Sequence, residues 1–264
     1  MSKVILITGT SSGFGKSIAK KLHSLGHIVI GTSRNADNTK SDYLTMSLNI
    51  NDYEMSKQLI AEIISNHGKI DILINNAGIN ITGPIESMEI SDMKKVFETN
   101  FFSHMNVIQS VLPGMRLNQS GIIINITSIA GYLGLPFWGA YCASKASFNI
   151  IAESLNIELK KFNINVVNIA PGDYKTEILS NRVDSNIANT SPYHKEYSRV
   201  INSVNGKMED GRDPNEVADL VLKIIKQKNP KINYLVGGFL EKKITLKSLF
   251  PDKFFQKIIM KLYN

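Results

Sequence analysis

A tyrosine and a lysine four residues apart are the first side chains in this sequence whose spacing points to chemistry. Tyr141 and Lys145 lie in a stretch of helical period, so they share one face of the predicted helix. An ammonium group close to a phenol favours the phenolate, which brings the pKa of the phenol down toward neutral pH. The pair is therefore predicted to exchange a proton with a carbonyl oxygen.

A serine thirteen residues before the tyrosine belongs to the same predicted site. Ser128 closes the predicted strand Gly121–Thr127. In open α/β sheets, ligands bind at the carboxyl ends of the strands. We therefore expect Ser128 to face the same crevice as Tyr141.

A glycine-rich turn, Thr8–Gly15, follows the first predicted strand and begins the first predicted helix. Residues without Cβ let the backbone approach a pyrophosphate and point the N–H groups of a helix N-terminus at it. The glycines stand at 9, 13 and 15, which differs from the G-x-G-x-x-G spacing. The turn predicts dinucleotide binding through Gly9, Ser11, Ser12, Gly13, Phe14 and Gly15.

The T-G-x-x-x-G-x-G turn and the Ser, Tyr, Lys order together resemble the short-chain dehydrogenase/reductase family, over roughly residues 3–240. The resemblance implies hydride transfer between a nicotinamide coenzyme and a carbonyl or alcohol. It implies that Tyr141 exchanges the proton, that Lys145 lowers its pKa and holds the nicotinamide ribose, and that Ser128 binds the substrate oxygen. Asn100 matches the position that helps to hold a proton-relaying water.

The same resemblance implies further coenzyme contacts. Asn76, Ala77 and Gly78 would border the adenosine ribose, and Thr176, after Pro171 and Gly172, would contact the nicotinamide carboxamide. Asn49, next to Ile50, stands where the family often has an aspartate that contacts adenine. Its amide can still form that hydrogen bond.

The end of the second predicted strand indicates which coenzyme is used. An acidic residue there would bind the ribose 2′-hydroxyl, whereas an arginine would bind a 2′-phosphate. This sequence has Ser33 and Arg34, which favours NADP(H) over NAD(H). The alternatives are that Arg34 is a solvated surface charge and that Asp37 binds the ribose.

These motifs lie in a regular alternation of short apolar runs and segments of helical period. The predicted strands are Lys3–Thr8, His27–Ser33, Asp71–Asn75, Gly121–Thr127, Ile164–Ala170 and Ile232–Val236, and the predicted helices are Phe14–Ser24, Asp52–Asn66, Ser91–Leu112, Ala140–Lys161 and Pro214–Lys226. This pattern predicts an α/β fold with a doubly wound parallel sheet of the Rossmann type. We expect one domain over residues 1–240, with a polar substrate lid at about 177–213 that is poor in core residues.

The chain of 264 residues has a formal net charge of +7. Residues 241–264 carry six lysines against two acidic residues, and Leu246, Leu249, Phe250, Phe254, Ile258 and Leu262 form one rough helical stripe among them. This basic amphipathic extension could cap the core, which we favour, or touch an anionic membrane surface. The single cysteine, Cys142, and the lack of a signal peptide predict a cytoplasmic protein.

The substrate is expected to be lipophilic, because Leu133, Leu135, Phe137 and Trp138 form an apolar run before Tyr141. The glycine turn Thr8–Gly15 and the C-terminal extension resemble the steroid, retinol and lipid-carbonyl branch of the family. Cys142 is expected to be a packing residue. The five histidines show no metal-ligand spacing, and most of them are expected at the surface or at helix ends, so no metal site is predicted.

Family members commonly pair the helices near 91–112 and 140–161 between subunits, so a homodimer or homotetramer is expected. Three other functions stay open: a coenzyme-sensing protein without turnover, an NAD-dependent alcohol dehydrogenase, and a sugar epimerase or dehydratase of the extended family. A nucleic-acid binder would rest on the net charge and is not expected.

Overall fold

A computed structural model describes residues 2–37, 41–176, 182–185, 187–238, 244, 247 and 251–263. Its strands are β1 (Val4–Thr8), β2 (Ile28–Ser33), β3 (Leu44–Ser47), β4 (Ile72–Asn75), β5 (Asn80–Thr82), β6 (Gly121–Ile126), β7 (Ile164–Pro171), β8 (Arg182–Asp184) and β9 (Asn233–Val236). Within these residues, seven strands form one parallel sheet in the order β3-β2-β1-β4-β6-β7-β9, and β5 pairs with β8 in a second, two-stranded sheet. The predicted doubly wound parallel sheet is confirmed.

The helices lie on both faces of the large sheet. They are α1 (Gly13–Ser24), α2 (Tyr53–His67), α3 (Ile90–Phe97), α4 (Ser103–Leu117), α5 (Gly139–Leu159), α6 (His194–Glu209), α7 (Asn215–Ile224) and α8 (Asp252–Tyr263). Side chains of α2, α4 and α5 build the core on one face, and those of α1 and α7 build it on the other. Successive residues of β1 alternate between these cores, because side chains along a strand point to opposite faces.

The order of the strands creates a crevice at one edge of the sheet. The chain runs from β1 outward to β2 and β3, and then returns to the other side of β1 to form β4. The connections after β1 and β4 therefore leave in opposite directions, and this is the switch point where open α/β sheets bind ligands. The predicted glycine turn follows β1, and the predicted Asn76–Gly78 turn follows β4.

A row of asparagines crosses the sheet just below this edge. Asn75, Asn125, Asn168 and Asn233 occupy paired positions on β4, β6, β7 and β9. Their side-chain amides form a chain, in which each Nδ2 donates to the next Oδ1 at 2.9, 3.0 and 3.1 Å. The row ties together the strand ends that carry the site, because buried amides are costly unless they are paired.

The predicted polar lid contains more structure than the sequence indicated. β8 and the whole of α6 fall within residues 177–213, while residues 177–181 and 186 lie outside the described part. Tyr197, Val200 and Ile201 of α6 are buried in one apolar cluster with Trp138 and Tyr141. The expectation that this segment is poor in core residues is therefore wrong, because its apolar side chains are spaced along one face of a helix among polar ones.

The C-terminal helix packs on the domain. Phe255 of α8 packs against a cluster that contains Leu133 and Ile244, and α8 also contacts α6. The predicted stripe placed Phe254 toward the core, but Phe254 is 50% exposed, and the next residue, Phe255, packs inward instead. Leu246, Leu249 and Phe250 of the stripe lie outside the described residues. No described helix has the length and apolar character needed to cross a membrane.

Candidate active site

The glycine turn after β1 is a tightly packed cradle. Gly9 has φ +72°, a left-handed conformation, and a Cβ built on it would lie 2.8 Å from the Cα of Ala77. A Cβ on Gly15 would lie 2.5 Å from Asn76 Nδ2 and closer still to the carbonyl oxygen of Gly9. Both contacts are mostly with backbone, which cannot move aside. The glycines are thus required by the approach of two chain segments.

The turn after β4 is tied to the glycine turn through hydrogen bonds. The Thr8 hydroxyl accepts the N–H groups of Asn76 and Ala77 at 2.9 and 3.1 Å. In return, Asn76 Nδ2 donates to the carbonyl oxygens of Thr8 and Gly9 at 2.9 and 2.7 Å. The structure therefore brings these predicted coenzyme contacts together as one rigid floor.

The N-terminus of α1 is suited to an anion. Ser12, its N-cap residue, makes no side-chain hydrogen bond to the helix, and the first turn contains no acidic residue. The first N–H groups of a helix lack partners within it and carry the positive end of the helix dipole. A pyrophosphate group fits this chemistry, because nothing in the first turn competes with it.

The remaining predicted coenzyme contacts lie around this turn, with two differences. Thr176 lies beside Gly13, where an added Cβ would be 3.4 Å from the Cβ of Thr176. Phe14 instead packs edge-on against Tyr174, with ring centroids 5.3 Å apart, so its side chain serves the core. Asn49 is exposed and its Oδ1 accepts the Asn51 N–H at 3.3 Å, which leaves its Nδ2 as the free group for a ligand.

Arg34 follows β2 at the carboxyl edge of the sheet. Its carbonyl oxygen accepts the Ser47 hydroxyl at 2.8 Å, and the Ser33 carbonyl accepts the Leu48 N–H at 2.8 Å. The backbone at 33–34 is therefore held in place, while the Arg34 side chain is exposed. Within the described ranges, no carboxylate forms an ion pair with it.

The tyrosine and lysine of α5 are buried at the same edge. Tyr141 is 8% exposed and Lys145 4% exposed. Lys145 Nζ donates to the Ile126 carbonyl at 3.0 Å and lies 5.9 Å from the centroid of the Tyr141 ring. A Cβ on Gly78 would lie 3.7 Å from that Nζ, so the lysine borders the turn after β4. The structure thus joins the predicted proton-exchange pair to the predicted coenzyme floor.

The pKa values of this pair differ from the sequence-based expectation. Burial raises the pKa of Tyr141 to about 12, although a hydrogen bond from Ser128 acts to lower it. Burial also lowers the pKa of Lys145 to about 8. The expected lowering of the phenol pKa is therefore wrong for this arrangement, because loss of hydration outweighs the Ser128 hydrogen bond. At neutral pH the phenol keeps its proton.

Ser128 lies two residues after the end of β6, at the carboxyl end of the sheet. Its side chain accepts the Ala130 N–H at 3.1 Å and thereby caps a short 3₁₀ turn, Ile129–Gly131. That bond uses a lone pair of Oγ and leaves its proton to donate. The hydroxyl can thus stabilise a developing charge on the phenol oxygen or on a nearby substrate oxygen.

Asn100 lies in a π-helical turn, Glu98–Phe102, which interrupts the predicted continuous helix between α3 and α4. π turns are rare in proteins as a whole, but those that occur often lie at functional sites. Asn100 Oδ1 accepts the Ile79 N–H at 2.8 Å, and its Nδ2 donates to the Ile79 carbonyl and to Ser144 Oγ at 3.0 and 3.1 Å. The side chain therefore connects the chain after Gly78 to α5.

The sequence predicted no site role for two residues of this network, His104 and Ser144, and it included Thr8 only as the first residue of the glycine turn. Ser144 lies inside the Tyr-x-x-x-Lys motif, and His104 lies four residues after Asn100, so helical spacing could have indicated both. His104 is the second residue of α4 and so lies at a helix end, as expected of most histidines here, but it is only 1% exposed. No three metal-ligating side chains are grouped in the part of the chain that the structure describes.

An apolar wall borders the proton-exchange pair. Trp138 and Cys142 are buried in the cluster with Tyr141, and Leu135 and Phe137 pack at its edge. Cys142 is thus confirmed as a packing residue. Phe137 has φ +68°, a strained conformation for a side chain with Cβ, and its carbonyl accepts the Gly83 N–H at 2.9 Å. Leu133 packs in a separate cluster beneath α8.

A cradle that fits a dinucleotide lies beside the buried Tyr141, Lys145 and Asn100 and the half-buried Ser128, and this arrangement fits a nicotinamide-dependent oxidoreductase. A family model for short chain dehydrogenase matches residues 3–187. The 3-ketodihydrosphingosine reductase of Bacteroides thetaiotaomicron is 35% identical over 99% of this chain and 98% of its own length. Retinol dehydrogenase 8 of Bos taurus is 28% identical over 95% of this chain and 86% of its own length.

Solved structures agree with these relatives. A short-chain dehydrogenase from Streptomyces avermitilis superposes with a TM-score of 0.84 at 26% identity, covering 98% of this chain and 95% of that one. ElxO with NADP bound gives a TM-score of 0.72 at 25% identity, covering 88% and 98%. The chain belongs to the short-chain dehydrogenase/reductase family, whose members act on CH–OH groups of small molecules with a nicotinamide coenzyme.

Proposed function

We propose that this protein transfers a hydride between NADP(H) and a lipophilic carbonyl or secondary alcohol, with Tyr141 as the general acid and base. The observation that carries the proposal is the burial of Tyr141 and Lys145 next to Gly78, at the edge where the glycine turn also lies. A chain that only sensed the coenzyme would not need this buried phenol and ammonium, since their burial is costly.

The coenzyme, when bound, supplies or accepts the hydride. Tyr141 is protonated at neutral pH, since burial raises its pKa to about 12, so it can give its proton to a carbonyl oxygen that becomes an alkoxide. Ser128 donates to the oxygen on which charge develops. Asn100 Oδ1 accepts the Ile79 N–H and so holds the backbone at Ile79 in place. Lys145 Nζ donates one N–H to the Ile126 carbonyl, and its other N–H groups, beside Gly78, can donate to a ribose hydroxyl.

The test of this mechanism is a pair of tyrosine variants. Tyr141→Phe removes the proton donor and is expected to lower kcat by at least about a hundredfold, since general acid catalysis contributes 10²–10⁴. Its affinity for the coenzyme should stay within about threefold, measured by titration calorimetry. Tyr234→Phe is the control, at a half-buried tyrosine of β9 whose hydroxyl donates to Gln227. Turnover by Tyr141→Phe within tenfold of wild type would refute the role.

The preference for NADP(H) is proposed from Arg34, whose side chain is exposed at the carboxyl edge of the sheet on a fixed backbone. Charge-assisted bonds to a 2′-phosphate are worth ~1.5–3 kcal/mol, so Arg34→Ala should lower kcat/KM for NADPH by ten- to a hundredfold. The value for NADH should change by less than threefold. Arg116→Ala, at the exposed end of α4, is the control. Equal losses for both coenzymes would contradict the assignment and favour Asp37 as the ribose ligand.

The substrate class is proposed from the apolar wall and from the relatives. Trp138 and Phe137 border Tyr141, and α6 adds Tyr197 and Val200. Two relatives are named for a ketodihydrosphingosine and for retinol, both with long apolar chains. NADPH oxidation should therefore be screened with 3-ketodihydrosphingosine, retinal, ketosteroids and 3-oxoacyl compounds against short polar aldehydes. Faster turnover of the polar set would overturn the lipophilic assignment.

We propose the catalytic domain as residues 1–240, with a lid at about 177–213 and an extension at 241–264. Support for the lid comes from the pairing of β8 with β5 and from the packing of α6 beside Trp138. The extension is proposed to cap the core through Phe255, while Lys253 and Lys257 of α8 are exposed. Cosedimentation with anionic vesicles tests the membrane alternative, and cell fractionation tests the cytoplasmic location.

A homo-oligomer is proposed through α4 and α5. Ile150 and Ile157 of α5 are 69% and 79% exposed and lie two turns apart on one face. Phe102, the residue before α4, and Leu117, the last residue of α4, are also exposed. A second copy would cover these side chains. Light scattering should give a dimer or tetramer mass that Ile157→Lys reduces, and a monomer for the wild type would refute the proposal.

A further inference from the structure

His104 is a buried histidine for which the mechanism above has no use. It lies in the first turns of α4, packs its ring against Phe148 and is 1% exposed. Its Nδ1 is 3.1 Å from the Asn100 carbonyl oxygen, and its Nε2 is 3.5 Å from the Thr8 hydroxyl. One ring therefore touches both the π turn and the strand end that holds the turn after β4.

The hydrogen-bond partners define the state of the ring. The Asn100 carbonyl can only accept, so Nδ1 carries the proton. The Thr8 hydroxyl already accepts the N–H groups of Asn76 and Ala77, so its own proton is the group that faces Nε2. His104 is then a neutral imidazole with the proton on Nδ1. Burial lowers its pKa to about 3, and the charge of Lys145 acts in the same direction.

The Asn100 carbonyl lies inside an irregular turn of the chain. In an α-helix the N–H of Ser103 would bond the Thr99 carbonyl, but in this π turn it bonds the Glu98 carbonyl. The imidazole Nδ1–H supplies a donor at that irregular point. It thereby stabilises the turn that aims the Asn100 amide at Ile79.

We propose that His104 is a positioning residue that couples the coenzyme floor to the catalytic asparagine: Nδ1–H holds the π turn of Asn100, and Nε2 orients the hydroxyl of Thr8, which in turn holds Asn76 and Ala77. Each ring nitrogen then affects a different property. Loss of the Nδ1 bond disturbs Asn100 and lowers kcat. Loss of the Nε2 bond loosens the floor and weakens coenzyme binding.

The ring state is tested on the wild-type protein by NMR of ¹⁵N-histidine. We expect one histidine that stays neutral with the proton on Nδ1 throughout pH 5–8, and that is absent in His104→Phe. A His104 resonance that titrates in this range, or that carries its proton on Nε2, would overturn the proposal. This measurement needs neither coenzyme nor turnover, so its failure is separate from failure of the proposed function.

Two amide variants separate the roles of the two nitrogens. In His104→Asn the side-chain amide nitrogen is as far along the side chain as Nδ1, so it replaces the donor to the Asn100 carbonyl. The kcat should therefore stay within about threefold, while the Kd for NADPH rises about tenfold. In His104→Gln the side-chain amide is as far along the side chain as Nε2, so it replaces the contact with the Thr8 hydroxyl. The Kd for NADPH should therefore stay within about threefold, while kcat falls about tenfold. His104→Phe should show both losses, and exposed His23→Asn neither.

The kcat measurements rest on the proposed function, whereas the Kd measurements need only coenzyme binding. Thermal unfolding of each variant gives the structural contribution. If the three His104 variants lose kcat and affinity together, in proportion to their loss of stability, then His104 is a core residue without a positioning role. If Asn and Gln exchange their expected effects, the assignment of the nitrogens is wrong.

Discussion

Removal of the ammonium of Lys145 is predicted to stabilise this protein at neutral pH while it abolishes turnover. Burial lowers the pKa of Lys145 from 10.5 to about 8, so the charged form costs ~3 kcal/mol in the folded state, at 1.36 kcal/mol per pKa unit. Lys145→Met keeps the length of the apolar stem. It leaves the Ile126 carbonyl without its donor, at ~1–2 kcal/mol. The net gain is about 1–2 kcal/mol.

The gain depends on pH with a defined sign. Between pH 8 and 10.5 the unfolded chain binds a proton at this lysine that the folded chain has released, so wild-type stability rises with pH in that window. Below pH 8 the full cost of the charge is present, and Lys145→Met is the more stable protein. Above pH 10.5 only the lost Ile126 bond remains, and the variant becomes less stable by ~1 kcal/mol.

Urea unfolding at pH 6.5, 8, 9.5 and 10.5 measures this difference. The expected gain at pH 6.5 corresponds to a rise in Tm of roughly 3–6 °C for a domain of this size. Lys94→Met, an exposed lysine on α3, should change stability by less than ~0.5 kcal/mol at every pH. A variant that is less stable than wild type at pH 6.5, or a difference that does not change with pH, would refute the reasoning.

Two further substitutions test the packing beneath the site. Asn125→Leu breaks the asparagine row in its middle and leaves a donor and an acceptor buried, so the free energy of unfolding should fall by ~3 kcal/mol. The control is Asn66→Leu, at an exposed asparagine, which should change the free energy of unfolding by less than ~0.5 kcal/mol. Equal losses of both variants in urea unfolding would contradict the role of the row. Gly15→Ala forces a Cβ against the carbonyl of Gly9 and should cost ~1–3 kcal/mol and most of the coenzyme affinity. Gly206→Ala, which meets open space in α6, should instead stabilise by ~0.5–1 kcal/mol, and a tolerated Gly15→Ala would show that the two turns are not in close contact.

Local sequence was sufficient for most of the fold and for the chemistry of the candidate site. The β-branched runs and the helical periods predicted the elements of the large sheet, because buried parallel strands read as continuous apolar segments. The motifs after β1, β4 and β6 could be placed at one edge, since parallel strands end on the same side. The short strands β3, β5 and β8 were missed, as was α6, whose apolar face is hidden among polar residues.

The sequence by itself determined that a tyrosine, a lysine and a glycine-rich turn meet at one edge of a sheet, because their spacing along helices and strands requires it. Only the tertiary structure decided their energetics. Tyr141 has a raised pKa rather than a lowered one because burial removes its hydration, and no spacing along the chain reports burial. His104 became part of the site because its ring contacts both the π turn at Asn100 and the hydroxyl of Thr8, which lies 96 residues before His104 in the sequence.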